Sequence, residues 1–327
     1  MAVRFIVLGG LSIDTVYFPG ETEPRVLCGG NALYGAIGAA IWARRPAEVG
    51  IAGSVGTTFP PPWLEALRGT GIDLTGVRET GEEHALTFRA TYDDDGYRHV
   101  DVSRSLPRRH RARALPLMER LPVAYLGAEA AQCCQYGLKM QREHTRFLHR
   151  QGLRVFLDPS EEQSAGLSQR GVREFVRSLD VFLPSEMEVP DFVTQDQSLE
   201  PEGVARILAG FGPQVVVIKL GARGSVVYDR AWNAAQRVGA YPTRAIDPTG
   251  AGDAFVGGFM VAYIETGDAF EAALWATVAA SLVVERAGAL AALHDLAQLR
   301  DQAPIRLQYL RRLNHATVFT GGMGAAK

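Results

Sequence analysis

The sequence predicts an α/β fold: a doubly wound, mostly parallel sheet with helices on both faces, and a β-hairpin. Three observations carry this. From residue 123 onward, short apolar runs at 123–126, 155–157 and 181–183 alternate with helix-length segments at 136–150 and 171–179. Such β–α alternation argues for parallel strands with helices on both faces. At the start of the chain, Phe5-Ile6-Val7-Leu8 is a continuous apolar run closed by Gly9-Gly10, the pattern of a fully buried strand ending in a tight turn. Finally, residues 84–90 and 97–102 alternate in polarity around Asp93-Asp94-Asp95-Gly96, a strong hairpin turn.

The composition agrees with that class. The chain has 327 residues, 47% hydrophobic and 21% charged, which suits one large α/β domain or two unequal ones with ample core. A net charge of -2 provides no global field to recruit nucleic acid or an anionic membrane. Of three cysteines, Cys133 and Cys134 are adjacent and Cys28 stands alone. That is neither a metal spacing nor a disulfide framework, and it fits buried thiols in a reducing cytoplasm. The N-terminus runs straight into a strand, without the length or flanks of a signal peptide. The longest apolar stretches are broken by glycines and charges, so no membrane span is expected.

The other elements follow in order. Asp14 lies in an alternating run that ends at Phe18. Cys28-Gly29-Gly30-Asn31 leads into a small-residue helix at 36–43, followed by a strand at 49–52 and a short helix at 63–68. Residues 104–113 carry five arginines and one histidine: a solvated basic loop, or a clamp for a phosphorylated substrate. Residues 215–219 form a buried strand that enters the turn Gly221-Ala222-Arg223-Gly224. Helices at 250–265 and 270–286 are rich in Ala and Gly. Gly257 and Gly258 each cost about 1 kcal/mol against Ala in a helix interior, so close helix packing is the expected return. Residues 305–310 are expected to pack on the surface or on a partner chain.

The most informative stretch is Asp247-Pro248-Thr249-Gly250-Ala251-Gly252-Asp253-Ala254-Phe255. Pro248 reads as the end of a loop, and Gly250-Ala251-Gly252 opens a helix almost without side-chain bulk. The first N–H groups of a helix have no internal partner, and the dipole places partial positive charge there. With no side chains in the way they can touch an anion directly. Asp253, in the same turn, is placed to take a proton from a hydroxyl while those groups hold developing negative charge. This is the minimum equipment for phosphoryl transfer to an alcohol.

The stretch closely resembles the D-T-x-G-A-G-D-x-F signature of the ribokinase-like (PfkB-type) carbohydrate kinases, with Pro248 where Thr is common. The resemblance spans roughly residues 4–290. It implies a ribokinase-like core of residues 1–12, 30–82 and 106–327, and a β-sheet lid made of 13–29 and 83–105. It also implies that Asp253 is the catalytic base, with the amides of Gly250, Ala251 and Gly252 as the anion hole. On the acceptor side it points to Asp14, to the Gly29 and Gly30 pair, and to Asp247. The family's usual Asn is replaced here by Tyr34, with Asn31 nearby as another amide; Tyr34 offers a ring to stack or a phenol to donate. On the nucleotide side it points to Thr249, Gly252, Lys219, Gly221 and Gly224. Pro184-Ser185-Glu186-Met187-Glu188 is similar to the family's N-x-x-E phrase. It makes Glu188 the residue that holds Mg²⁺ through water and puts Ser185, a good helix N-cap, in place of the Asn. The implied cofactors are ATP and Mg²⁺, with a monovalent cation (K⁺) left open. The implied partners are a small-molecule sugar or nucleoside and a second copy through the lid, but neither nucleic acid nor membrane. Three functions stay open: a kinase of a sugar or sugar-like hydroxyl, a nucleoside kinase, and a catalytically weak sugar- or nucleotide-binding regulator on the same fold.

Overall fold

The structure is a computed structural model and describes residues 2–84, 86–92, 98–100, 115–159, 167–189, 192 and 200–321. The chain opens with β1 (Phe5–Leu8), β2 (Ser12–Tyr17), β3 (Arg25–Gly29) and helix α1 (Asn31–Trp42). Next come β4 (Val49–Val55), α2 (Pro61–Gly69), β5 (Asp73–Glu79), β6 (Thr87–Tyr92) and β7 (Arg98–Val100). The alternating half follows: β8 (Ala130–Cys133), α3 (Leu138–Arg150), β9 (Arg154–Leu157), α4 (Gln169–Val176), β10 (Val181–Phe182) and α5 (Pro201–Ala209). Strands β11 (Val215–Lys219), β12 (Ser225–Asp229) and β13 (Ala234–Val238) precede helices α6 (Ala251–Thr266), α7 (Ala269–Val283), α8 (Ala289–His294) and α9 (Leu296–Gly321).

The described residues form a nine-stranded sheet in the order β13-β12-β11-β10-β9-β8-β1-β4-β5. The seven strands from β11 to β5 pair in parallel, and at one edge β12 runs antiparallel to both β11 and β13. Side chains of a strand point alternately to its two faces. Accordingly Phe5 and Val7 pack with α1, α6 and α7, while Ile6 and Leu8 pack with α3, α4 and α5. A second sheet, β3-β2-β6-β7, stands beside the first. It draws strands from both segments expected to form the lid. The hairpin reading holds for its strands, since β6 and β7 pair antiparallel with Ala90 opposite Val100. The turn residues 93–96 and the basic stretch 104–113 lie outside the described residues.

One element differs from expectation. Residues 123–126 are not a strand; Val123–Gly127 is a 3-10 turn entered from Pro122. Tyr125 is fully buried there and its phenol donates to Asp73 Oδ1 at 2.8 Å, so the segment is pinned to β5 as a turn. The strand begins later, at Ala130, which pairs with Phe5 in the sheet centre.

The expected close helix packing is present. A β-carbon on Gly257 would stand 2.0 Å from the Gly35 carbonyl oxygen, and one on Gly38 would stand 2.0 Å from that of Ala254. Helices α1 and α6 therefore cross with their backbones in contact. The residues at 305–310 belong to α9, which buries Leu307 and Leu310 and leaves Ile305 exposed. The three cysteines are free and buried. No helix of the described residues is long and apolar enough to cross a membrane. Because the central strands are parallel, the segments after β1, β8, β9, β10 and β11 all emerge at one edge, where ligands of such sheets bind.

Candidate active site

At that edge the Asp247 loop turns into α6. The Asp247 carboxylate is buried. Its Oδ1 accepts from the Thr249 N–H at 3.0 Å and from the Tyr92 phenol at 2.5 Å, and its Oδ2 accepts from the Gly288 N–H at 3.0 Å. Tyr92 also bonds the Thr249 hydroxyl. It is the last residue of β6, so the second sheet is fastened to the loop that leads into α6. Gly250 adopts the left-handed conformation, with φ 78, and a β-carbon there would stand 2.0 Å from Tyr34 Cγ. Conformation and space both require glycine at this position. Tyr34 is itself buried, with its ring over the helix start rather than open at the surface.

Ala251, Gly252 and Asp253 form the first turn of α6, with Asp253 as its acidic residue. Gln132 donates to the Asp253 main-chain carbonyl at 3.2 Å and so braces the turn from β8. Facing Gly252 is Lys219, the last residue of β11; a β-carbon on Gly252 would lie 3.4 Å from Nζ. Lys219 Nζ donates to Asp158 Oδ2 at 2.6 Å, with side-chain exposures of 11% and 2%. Burial works to lower the lysine's pKa, but Asp158, Glu188 and Asp253 outweigh it and leave it raised. The ammonium therefore stays charged at neutral pH, beside the start of α6.

Glu188 lies close enough to Lys219 to act on its charge, because Ser185 forms a parallel bridge with Lys219. Residues 185–189 make a tight turn in which the Glu188 and Val189 N–H groups donate to the Ser185 carbonyl at 3.1 and 3.2 Å. The Ser185 N–H donates to Glu188 Oε2 at 2.6 Å, and Gln135 Nε2 donates to Oε1 at 2.6 Å. Gln135 also reaches Asp158 Oδ1 at 3.4 Å. Among the described residues, no group of three or more His, Cys, Asp or Glu is arranged to hold a metal ion.

Of the residues expected on the acceptor side, Asp14, Gly29, Gly30 and Asn31 come together where β2, β3 and α1 join. Asp14 is buried, and a β-carbon on Gly29 would overlap it, 2.3 Å from Oδ2. Gly30, with φ 112, lies directly against the Gly10 carbonyl oxygen. Asn31 uses its amide on backbone: Oδ1 accepts from the Gly10 N–H at 2.8 Å, and Nδ2 donates to the Gln135 carbonyl at 2.7 Å. Gly221 and Gly224, with φ 58 and 90, form the turn after β11. Gly221 borders open space, whereas Gly224 admits the backbone of β13. His84 ties the root of the second sheet to the core, accepting from the Gly56 N–H at Nδ1 and donating from Nε2 to the Leu11 carbonyl.

Sequence reasoning missed Gln135, Gln132 and Tyr92. Each is a lone polar residue within, at the end of, or just after a short strand, and no local pattern marks it.

Comparison with known proteins places the chain in a family. The model of the pfkB family carbohydrate kinases matches residues 23–296. The cytidine kinase of Thermococcus kodakarensis is 31% identical over 261 residues, 79% of this chain and 87% of that one. The ribokinase of Haemophilus influenzae is 26% identical, over 97% of this chain and 100% of that one. Among solved structures, the ribokinase from Giardia lamblia superimposes with a TM-score of 0.71 at 20% identity, over 90% of this chain and 99% of that one, a likeness of fold. The matched span runs from the second sheet through the loop and helix start that hold Asp253, and the chain belongs to the pfkB family of carbohydrate kinases, phosphotransferases with an alcohol group as acceptor.

Proposed function

We propose that the protein is an ATP- and Mg²⁺-dependent kinase that phosphorylates a sugar hydroxyl of a nucleoside. The observation that carries the reaction is the start of α6: a turn with almost no side-chain bulk, a carboxylate at Asp253, and the Lys219 ammonium facing Gly252. In this reading Asp253 takes the proton of the attacking hydroxyl, a contribution of roughly 10² to 10⁴ in rate. The N–H groups of Gly250, Ala251 and Gly252 hold the charge that builds on the transferred phosphoryl group, and Lys219 adds a fixed positive charge beside them. Asp14 and the bare backbone of Gly29 and Gly30 position the acceptor.

Glu188 is the protein carboxylate for Mg²⁺. Its oxygens accept from the Ser185 N–H and the Gln135 amide, both neutral donors, which suits an anionic ligand, and Mg²⁺ takes oxygen ligands while keeping several waters. The lack of a protein cage among the described residues is consistent with an ion that takes most of its ligands from water and the triphosphate. When bound, Mg²⁺ neutralises charge on the phosphates.

The nucleoside acceptor is supported by the cytidine kinase relative, which is more similar to this chain than the ribokinase relative is. The ribokinase relative supports a free sugar as the second reading. An ADP-release assay with cytidine, uridine, adenosine, inosine, ribose and fructose separates them. The proposal expects a nucleoside to exceed ribose in kcat/KM by about 100-fold or more, roughly 2.7 kcal/mol of transition-state binding. Preference for ribose would overturn the nucleoside reading. A flat response to every acceptor, with ATP still bound, would favour the regulator.

A further inference from the structure

Glu188 is 1% exposed, and a buried carboxylate needs donors on both oxygens to hold one orientation. One donor is the Ser185 main chain, which any residue but proline would supply. Another is a side chain from a different strand end, Gln135, two residues beyond β8, at 2.6 Å from Oε1. The turn carries Ser185 where the resembled phrase has an asparagine, so the turn itself brings no side-chain amide to this site. Gln135 brings one from across the edge.

Its main chain is fixed independently of its amide. The Gln135 carbonyl accepts from Asn31 Nδ2 at 2.7 Å, and Asn31 Oδ1 accepts from the Gly10 N–H at 2.8 Å. The side chain is thus presented by a backbone locked between β1 and α1. From there its amide spans two carboxylates, Glu188 and Asp158, and Asp158 holds Lys219. Without the amide, Glu188 Oε1 loses this donor, and the nearby Lys219 charge draws the carboxylate away from its present aim.

We propose that Gln135 is a positioning residue for the metal-nucleotide site: it fixes the Glu188 carboxylate and replaces, from β8, the side-chain amide that the Ser185 turn lacks. The proposal rests on Glu188 serving Mg²⁺, as in the function proposed above. It assigns Gln135 no contact with the reacting atoms.

The test is calorimetric binding of ATP, with and without Mg²⁺, to the wild type, Gln135→Met and the double variant Gln135→Met/Ser185→Asn. Met keeps the length of the side chain and removes the amide. A hydrogen bond to a charged group is worth about 1.5–3 kcal/mol, or roughly 10- to 100-fold. Gln135→Met is therefore expected to bind ATP-Mg²⁺ about tenfold or more weakly, with metal-free ATP within about twofold of wild type. The added asparagine should bring the double variant back to within about threefold of wild type. Unchanged affinity with Mg²⁺, a parallel loss with and without Mg²⁺, or a folded double variant as weak as the single one would each overturn the proposal. A wild type that binds ATP equally well with and without Mg²⁺ would instead sink the reading on which it rests.

Discussion

Lys219 and Asp158 make a buried ion pair whose lysine faces Gly252 at the start of α6, so the two consequences of removing the charge can be separated. In Lys219→Met the stem is kept and the ammonium is lost. Asp158, 2% exposed, is left with the distant Gln135 amide, 3.4 Å away, among its side-chain partners. Breaking a buried pair from one side costs about 3–5 kcal/mol, because the remaining charge is desolvated and uncompensated. In a chain of this size that is on the order of 5–10 °C in melting temperature. Adding Asp158→Asn removes the stranded charge, so the double variant should regain most of the lost stability. Activity should not return with it, because the positive charge beside Gly252 is still missing; loss of one such preorganised group costs roughly 10²–10³ in kcat. Thermal melts and ADP release on the single and double variants read the two effects. A single variant that melts within about 1 °C of wild type, or a double variant that recovers activity along with stability, would refute the assignment of Lys219 to both roles.

Three other outcomes follow from the same geometry. Asp14→Ala should weaken acceptor binding by roughly 5- to 100-fold, about 1–3 kcal/mol, and leave ATP affinity unchanged; calorimetry with each ligand checks this, and equal losses would contradict the division of the site. Gly250→Ala drives a methyl group into the Tyr34 ring at a left-handed residue, so it should cost about 2 kcal/mol or more and most of the activity. A variant that melts and turns over like wild type would show that Tyr34 is not seated there. His144 is buried and accepts from or donates to the Tyr136 phenol at 2.9 Å, and burial pushes its pKa down to about 4 from 6.5. The unfolded chain takes up this proton near pH 6.5 while the native state refuses it. Its contribution is therefore fully present above that pH and is lost as pH falls toward 4, by roughly 3 kcal/mol at most. Melts between pH 7 and 4.5 should show a shallower acid slope for His144→Gln; an unchanged slope would remove His144 as a cause.

The parts of the fold that were legible in the sequence were those with a local cause. Gly250-Ala251-Gly252 opens a helix because it lacks bulk, and Phe5-Ile6-Val7-Leu8 is apolar throughout because helices cover both faces of β1. Position 123–126 misled because its apolar pattern serves a buried tyrosine anchor, while the true strand, Ala130–Cys133, is made of small residues that carry little periodicity. In the candidate site, residues that lie within one stretch could be proposed together, as with Asp253 beside its glycines. Residues whose role depends on a partner far along the chain could not: Gln135 meets Glu188, and Tyr92 meets Asp247, only through the folding of the sheet. Tyr34 shows the same limit, since nothing near it in the chain announces that its ring covers Gly250.

The central claim is that Asp253 takes the acceptor's proton at the start of α6. The most direct measurement is phosphorylated product by mass spectrometry, from wild type and Asp253→Asn under identical saturating ATP and Mg²⁺, with ATP affinity measured on both. The account predicts product from wild type, a rate lower by roughly 10² to 10⁴ in the variant, and ATP affinity within about threefold. Near-full turnover by Asp253→Asn would contradict it.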